Sequence, residues 1–559
     1  MKKTVLFLSI LLLNVTKVSL GQVENVPLNS PVYTFLKEMK VKGILPYISE
    51  DVPNLSRFQV RDFLDSVKNH WDELSDIEKE FTQRYLDEFS DIMDDETTSI
   101  LFNPGTKFTQ TASEFFSNKI KYTFVHQEEN ANFYFEMLQD FYYGSTFKPS
   151  AEDVFIYDFG FRVRGTTFKH LGYYFAFQKG GVWGNRKTAE LLLPALRYNT
   201  KWVMENEDIK NYDFVSSYLK YYVQPAEDMH ISLQLGREPI TAGYGYGSKL
   251  VLSGMHPIMD FFKFNFNYGI FHLSSIHAST VGEYFRNRDD RFTKFWAFNR
   301  LKITIPNLFD IGVGESIVYS KRGIDLAYFP PVGFYKFIEI ALQDRDNGNL
   351  YFDLQTKFLK NLELQGTFFL DENFVGYLSN PDNFANKVAY QLGAMWYEAF
   401  TLNNFSLVFE YTKIRPFVYT HFNRDNSYTS FGTNLGHYIG PNADEIFTRL
   451  AYNFNSCLRL ELDYRHVRRG ENVYNEEGNL VKNVGSDVFL THGSRPDNKS
   501  APFLDGIRIN HDIYQAKLRI EPIRDYIFEI IYNYHIENNL TIGEKSDQSF
   551  AYIRLIWEY

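Results

Sequence analysis

The sequence predicts an all-β transmembrane barrel of about 18 antiparallel strands, preceded by a small α-helical bundle, and three observations lead there. Aromatic usage is heavy, with 53 Phe, 39 Tyr and 6 Trp making 18% of 559 residues, yet mean hydropathy is only −0.32. That combination suits strands whose every second residue faces water. From about residue 105 onward, apolar and polar residues alternate with period two. No run of about 18 apolar residues occurs, which excludes membrane-spanning helices, and the aromatic load excludes disorder.

The first 21 residues read as a secretory signal. Lys2 and Lys3 form a charged start, Thr4–Leu13 a short apolar run, and Ser19 and Gly21 the small residues before a cleavage site. Residues 22–104 then switch to a helical period. Ser30 and Pro31 open a helix with an apolar stripe of Val32, Phe35, Leu36 and Met39, and Gly43 ends it. A second helix starts near Ser56 and places Val60, Phe63, Leu64, Val67 and Trp71 on one face. Ser75 and Glu78 have the spacing of a capping box for a third, with Ile77, Phe81 and Phe89 on its stripe. This bundle is expected to be a separate amphipathic unit.

Residues 105–559 carry the strands. Phe155, Tyr157, Phe159, Phe161 and Val163 alternate with Asp158, Gly160, Arg162 and Arg164. Phe262, Phe264, Phe266 and Tyr268 alternate with Lys263, Asn265 and Asn267, and Leu458, Leu460 and Leu462 with Arg459, Glu461 and Asp463. The same rhythm runs through 405–411, 514–520 and 526–536. At roughly 25 residues per strand with its connection, the region holds about 18 strands. A sheet that long must close on itself to avoid open edges. Ile553, Leu555, Trp557 and Tyr559 form a last strand ending on an aromatic residue, the kind of signal that barrel assembly machinery reads. Polar segments at Arg286–Arg291, Asn423–Asp444 and Asn472–Asp505 are expected as outer loops.

Several function classes are excluded or unsupported. A formal charge of −11 argues against nucleic acid. Cys457 is the only cysteine, so there is no internal disulfide and no Cys-based metal site. No metalloprotease, nucleophile-elbow or phosphate-loop motif occurs. Asp344, Asp346 and Gly348 form a fragment of a calcium loop and read better as an acidic turn. The chain is therefore expected to be a non-enzyme without cofactor or metal.

Ordered stretches of the sequence resemble the capsule assembly proteins called Wzi. They are Leu235–Gly247 with its Gly243, Gly245 and Gly247, then Leu250–Ser253, Arg300–Ile303, Ile311–Tyr319, Asp325–Pro331 and Leu364–Asp371. Val26–Tyr33 is similar to the start of that family's periplasmic preface, while Ala242 stands where the family usually has Trp. The resemblance implies an outer-membrane surface lectin, with a periplasmic helical bundle, that holds or organises capsular polysaccharide; separately, the chain is expected to be a monomer among outer-membrane lipid. Glycan binding draws on aromatic faces and on Arg or Lys. Under that reading Tyr428, His437 and Tyr438 in one loop, and Arg495 in another, are candidate contacts. The favoured reading of the glycine turn is that Gly243, Gly245 and Gly247 let the backbone bend at the barrel rim; the functional alternative has Arg237, Tyr244, Tyr246 and Lys249 lining the lumen or touching glycan. Two other classes stay open: a porin or substrate channel, and an envelope interaction protein linked to secretion or gliding motility.

Overall fold

The computed structural model describes residues 21–90, 97–118, 122–204, 210–282, 291–343, 345–371, 379–491 and 499–559. The expected signal segment up to residue 20, most of Arg286–Arg291 and the candidate Arg495 lie outside the described residues.

Three helices begin the chain: α1 (Val32–Lys42), α2 (Arg57–Lys68) and α3 (Asp76–Phe89). Val32, Phe35, Leu36 and Met39 of α1 are buried, and Gly43 ends it in the left-handed region at φ 92°. Pro31 takes the cap position instead of the first helical turn. Reciprocal capping boxes open α2 at Ser56 with Gln59 and α3 at Ser75 with Glu78. Trp71 does not continue the α2 stripe, because the helix stops at Asn69 and Trp71 sits in a separate turn.

The chain next forms a short strand pair (Thr97–Ile100 with Phe124–Glu128) around a helix, α4 (Phe108–Phe115). The barrel proper begins with β1 (Ala131–Lys148), β2 (Glu152–Thr167), β3 (Leu171–Gly184), β4 (Asn211–Ala226), β5 (Met229–Arg237) and β6 (Asp260–Tyr268). It continues with β7 (Phe271–Val281), β8 (Thr293–Ile305), β9 (Phe309–Ser320), β10 (Asn347–Thr356), β11 (Leu362–Asp371) and β12 (Val388–Tyr397). The last six are β13 (Phe405–Ile414), β14 (Ala443–Asn455), β15 (Leu458–Glu471), β16 (Ile507–Ile523), β17 (Tyr526–Asn539) and β18 (Glu544–Glu558). Each pairs antiparallel with the next, and β18 pairs with β1, so these 18 strands close the barrel as expected.

Connections at one end are tight, such as 227–228, 269–270 and 524–525; the other end carries the long ones, 238–259, 415–442 and 472–506, beside the short 149–151 and 540–543. The helices sit at the short-turn end, where Val23 N donates to Thr166 Oγ1 (2.8 Å) and Arg84 to the Ser456 carbonyl (3.1 Å). Strand parity divides the wall. Phe155, Tyr157, Phe159 and Phe161 of β2 face outward, as do Phe262, Phe264 and Phe266 of β6. Arg162 and Arg164 face inward on Glu136 and Glu24. Apolar outside and charged inside is the composition of a lipid-facing barrel.

The helices are not a separate unit. Their apolar core runs without a break into inward residues Met395, Tyr397, Val408 and Phe447 of the barrel. The expectation of an independent bundle missed this because the helical stripe alone cannot say what covers it.

Candidate functional site

The lumen has two different halves. In the first, chain segments enter from both ends and meet. The α1–α2 connection rises from the short-turn end and carries Glu50 and Asp51; residues 238–259 descend from the long-loop end with the glycine turn. Gly243 N donates to the Asp51 carbonyl (2.9 Å) and Lys249 Nζ to the Glu50 carbonyl (3.0 Å). Charges lock the junction to the wall. Asp51 pairs with Arg300 and, at 2.6 Å, with Lys302; Arg300 also holds Asp353 at 2.7 Å. Lys40 binds Glu50 (2.7 Å) and Glu363 (3.0 Å), and Tyr246 Oη donates to Glu363 (2.7 Å). Burial alone would raise the Asp51 carboxyl, but Arg300 and Lys302 hold it well below the usual carboxylate range. Burial likewise opposes ionisation of Glu50, and Lys37 and Lys40 overcome it to bring the carboxyl down to about 2.

A third segment, 415–442, caps this junction. Tyr419 donates to the Leu250 carbonyl (2.7 Å) and Tyr428 to that of Val251 (2.9 Å), while Trp296 Nε1 donates to Tyr428 (2.8 Å). The inward residues of β8 to β13 close on it: Trp296, Phe298, Tyr351, Phe369, Ala389 and Ile414 are all 0% exposed. An apolar core therefore sits inside the barrel.

These contacts locate the residues that the sequence singled out. The glycine turn lies within the lumen and not at the rim. Gly245 has φ 156°, and a Cβ there would fall 2.0 Å from the Ser248 carbonyl oxygen, so only glycine fits. Tyr246 N and Gly247 N both donate to Glu410, at 2.8 and 2.9 Å. Tyr244 is buried beside Arg300. Lys249 is spent on the junction, and burial pushes its ammonium down to about 8. Arg237 has the outward parity of Leu233 and Leu235 and pairs with Asp260 at 2.9 Å, so it does not line the lumen. Tyr428 and His437 are fully buried in the capping segment, contrary to the expectation of an outer surface loop. Burial pushes the His437 imidazole down to about 4, leaving it neutral. Tyr438, its neighbour, is 36% exposed.

The second half of the lumen, along β15 to β18, keeps inward side chains partly open to water. Asp463 and Arg465 of β15, Gln515 and Lys517 of β16, Asn533 and His535 of β17, and Gln548 and Arg554 of β18 form this wall. Arg449 of β14 grips Asp463 through two 2.7 Å bonds, Lys517 pairs with Glu529 (3.0 Å) and Arg554 with Asp140 (2.7 Å). At the long-loop side Tyr438 donates to Glu445, which Arg465 also binds at 2.9 Å, and Arg465 reaches the Gly247 carbonyl (3.4 Å). Arg465 thus joins the exposed tyrosine to the glycine turn. At the other foot, a cavity of about 200 Å³ opens between α1, α3 and the wall, lined by Glu38, Tyr85, Arg459, Glu461, Lys517 and Arg519. Guanidinium, ammonium and amide groups partly open to water, plus a part-exposed tyrosine, can hydrogen-bond and stack on a hydroxylated chain. Sequence reasoning noted the alternation here without treating the polar parity as a site. Its signal was the share of charged and amide residues on the inward parity, interrupted by Ile513, Ile531 and Phe550. Among the described residues no group of three or more His, Cys, Asp or Glu is arranged to hold a metal ion.

Residues 348–495 match the family model of capsule assembly protein Wzi. No curated relative matches the sequence. The solved structure of Wzi, an Escherichia coli outer-membrane protein involved in group 1 capsule assembly and a carbohydrate-binding β-barrel, aligns with TM-score 0.55 at 12% identity, over 96% of this chain and 99% of that one. Pseudomonas aeruginosa OprD aligns over 76% of this chain and 95% of its own, at 12% identity and TM-score 0.42. Acinetobacter baumannii OccAB2 aligns over 76% and 98%, at 10% identity and TM-score 0.43. The resemblance read in the sequence therefore holds: this chain has the fold of the Wzi barrel, and its segment 348–495 carries the sequence pattern of the Wzi family.

Proposed function

We propose that this protein resides in the outer membrane of a Gram-negative cell and holds polysaccharide at the cell surface as a capsule-organising lectin without enzymatic activity. A cleaved signal at residues 1–21 directs export, barrel assembly machinery inserts the monomer, and the helical bundle faces the periplasm. The observation that carries the reading is the divided lumen. One half is sealed by interlocked segments, which argues against a diffusion channel; the other keeps a wet wall of Arg, Lys, amide and carboxylate groups under an exposed tyrosine. The match of 348–495 to the Wzi family supports the glycan as ligand. Tyr438 with Arg449, Gln515 and Lys517 are the proposed contacts, and Arg495 in the long loop adds a cation for acidic sugars.

The test is binding of the purified, detergent-solubilised protein to the organism's own surface polysaccharide, with bilayer conductance on the same preparation. Saturable binding without conductance is expected. Conductance without binding would replace this reading with the channel.

A further inference from the structure

The outer wall of β7 to β9 breaks the lipid-facing pattern. By register, Ser275, His277, Asn299 and Glu315 share the outward parity of Leu301, Ile303 and Val313. Glu315 lies near the middle of β9, a 12-residue strand of about the length that crosses a membrane at a tilt. Polar groups there would face hydrocarbon, which is costly without hydrogen bonds. They do not, because residues 321–343 fold back over the outside of the barrel. Asn299 Nδ2 donates to the Pro330 and Gly333 carbonyls (3.2 and 3.3 Å), and Glu315 accepts from the N–H groups of Tyr335 and Lys336. Tyr328 and Tyr335 are buried against Ala297, Ile317 and Tyr319, and Phe329 stacks on Phe262 of the apolar belt at 5.2 Å. Arg322 pins the root of the segment to Asp346 with bonds of 2.9 and 2.6 Å. The acidic turn is thus an anchor.

The other side of this flap is apolar too. Leu326, Val332, Phe334, Phe337 and Ile340 are more than half exposed. The short helix within it (Tyr335–Ala341) turns Tyr335 and Ile338 to the wall and Phe337 and Ile340 away. A segment apolar on both faces belongs in a nonpolar medium. We infer that residues 321–343 are embedded in the outer leaflet, with lipid acyl chains packed on Leu326, Val332, Phe334, Phe337 and Ile340. The flap supplies hydrogen bonds inward and hydrocarbon outward, so a polar strip of wall is carried at membrane depth. Continuity through Phe329 and Phe262 with the lipid belt is what selects lipid over a second copy. The inference rests on the barrel spanning a membrane and is independent of glycan binding.

The test uses the full chain in phosphatidylcholine vesicles, with Cys457→Ser as background and one nitroxide at Phe337→Cys or, separately, Ile340→Cys. Leu392→Cys on the outward belt and Tyr474→Cys in an exposed loop are the references. Oxygen collisions exceeding nickel-chelate collisions at 337 and 340, as at 392 and opposite to 474, are expected. Nickel-dominated collisions at both flap sites, with 392 still lipid-like, would overturn the inference. Suppression of both collision rates with dipolar broadening that grows with protein density would overturn it in favour of a second copy. A water-like label at 392 would instead remove the membrane barrel itself.

Discussion

The two halves of the lumen use the same strand chemistry for opposite ends. Along β8 to β13 the inward positions are buried, and charges such as Arg300, Lys302, Glu363 and Glu410 are met by entering segments. Along β15 to β18 they hold charges that pair with one another across the wall, with the cations Arg465, Lys517 and Arg554 left partly open to water. The packed half makes the barrel a solid, whereas the open half makes it a surface. Buried pairs are costly to break because the surviving partner stays desolvated, while wet pairs exchange readily with water or ligand.

The sharpest way to break this contrast is to remove one cation from each half. Arg300→Met leaves Asp51 and Asp353 buried without their guanidinium, and a loss of about 3–5 kcal/mol in the stability of the folded barrel is expected. Arg449→Met removes a guanidinium that is itself 32% exposed and leaves Asp463 short of two hydrogen bonds, which should cost less, about 1–2 kcal/mol. Urea unfolding in detergent, followed by the heat-modifiable mobility of the barrel, measures both. Equal losses would show that the halves do not differ.

Binding should reverse that order. In the double variant Arg449→Met, Lys517→Met, two charged donors leave the wet wall. Each charge-assisted hydrogen bond is worth about 1.5–3 kcal/mol, so polysaccharide affinity should fall at least about tenfold with the fold intact. Unchanged affinity would move the site to the outer loops and to Arg495.

Much of the barrel was legible because period two survives wherever one face meets lipid and the other meets water. It fails where that contrast fails. Phe295-Trp296-Ala297-Phe298 is apolar on both parities, since the inward face meets the plug, and that lost alternation was the available sign of a packed lumen. Ser275, His277, Asn299 and Glu315 put polar groups on the outward parity, the mark of the flap. Loop 415–442 misled because Asn, Gly and Pro signal turns in any surroundings, so Tyr428 and His437 passed for surface residues. The burial of Leu250-Val251-Leu252 in mid-connection depends on segments far away in sequence, which no local pattern encodes.

Acid sharpens the comparison more gently. Glu50 titrates lower in the folded chain than free, so its contribution to the junction is whole above about pH 4.3 and is lost as pH falls toward about 2. Pepsin, active across that window, should cut residues 43–56 progressively faster as pH drops through it, while the strands stay protected. Cleavage that does not change between those limits would mean that the junction is held without the Lys37 and Lys40 pairs.

The smallest effect falls on Tyr438. Its hydroxyl is already committed to Glu445 and its ring stacks on the buried His437 at 5.2 Å, so what the 36% exposed side chain offers a glycan is ring surface. Tyr438→Phe keeps the face and should bind within about twofold of the parent, because an aromatic contact depends on the ring and not on the hydroxyl. Tyr438→Ala removes it and should weaken binding about three- to tenfold, the equivalent of about 0.5–1.5 kcal/mol. Titration of the surface polysaccharide against the two variants separates stacking from hydrogen bonding. A Phe variant as weak as the Ala variant would mean that the Tyr438–Glu445 bond, by holding Arg465 toward the glycine turn, is what shapes the open wall, and the site would then depend on the packed half after all.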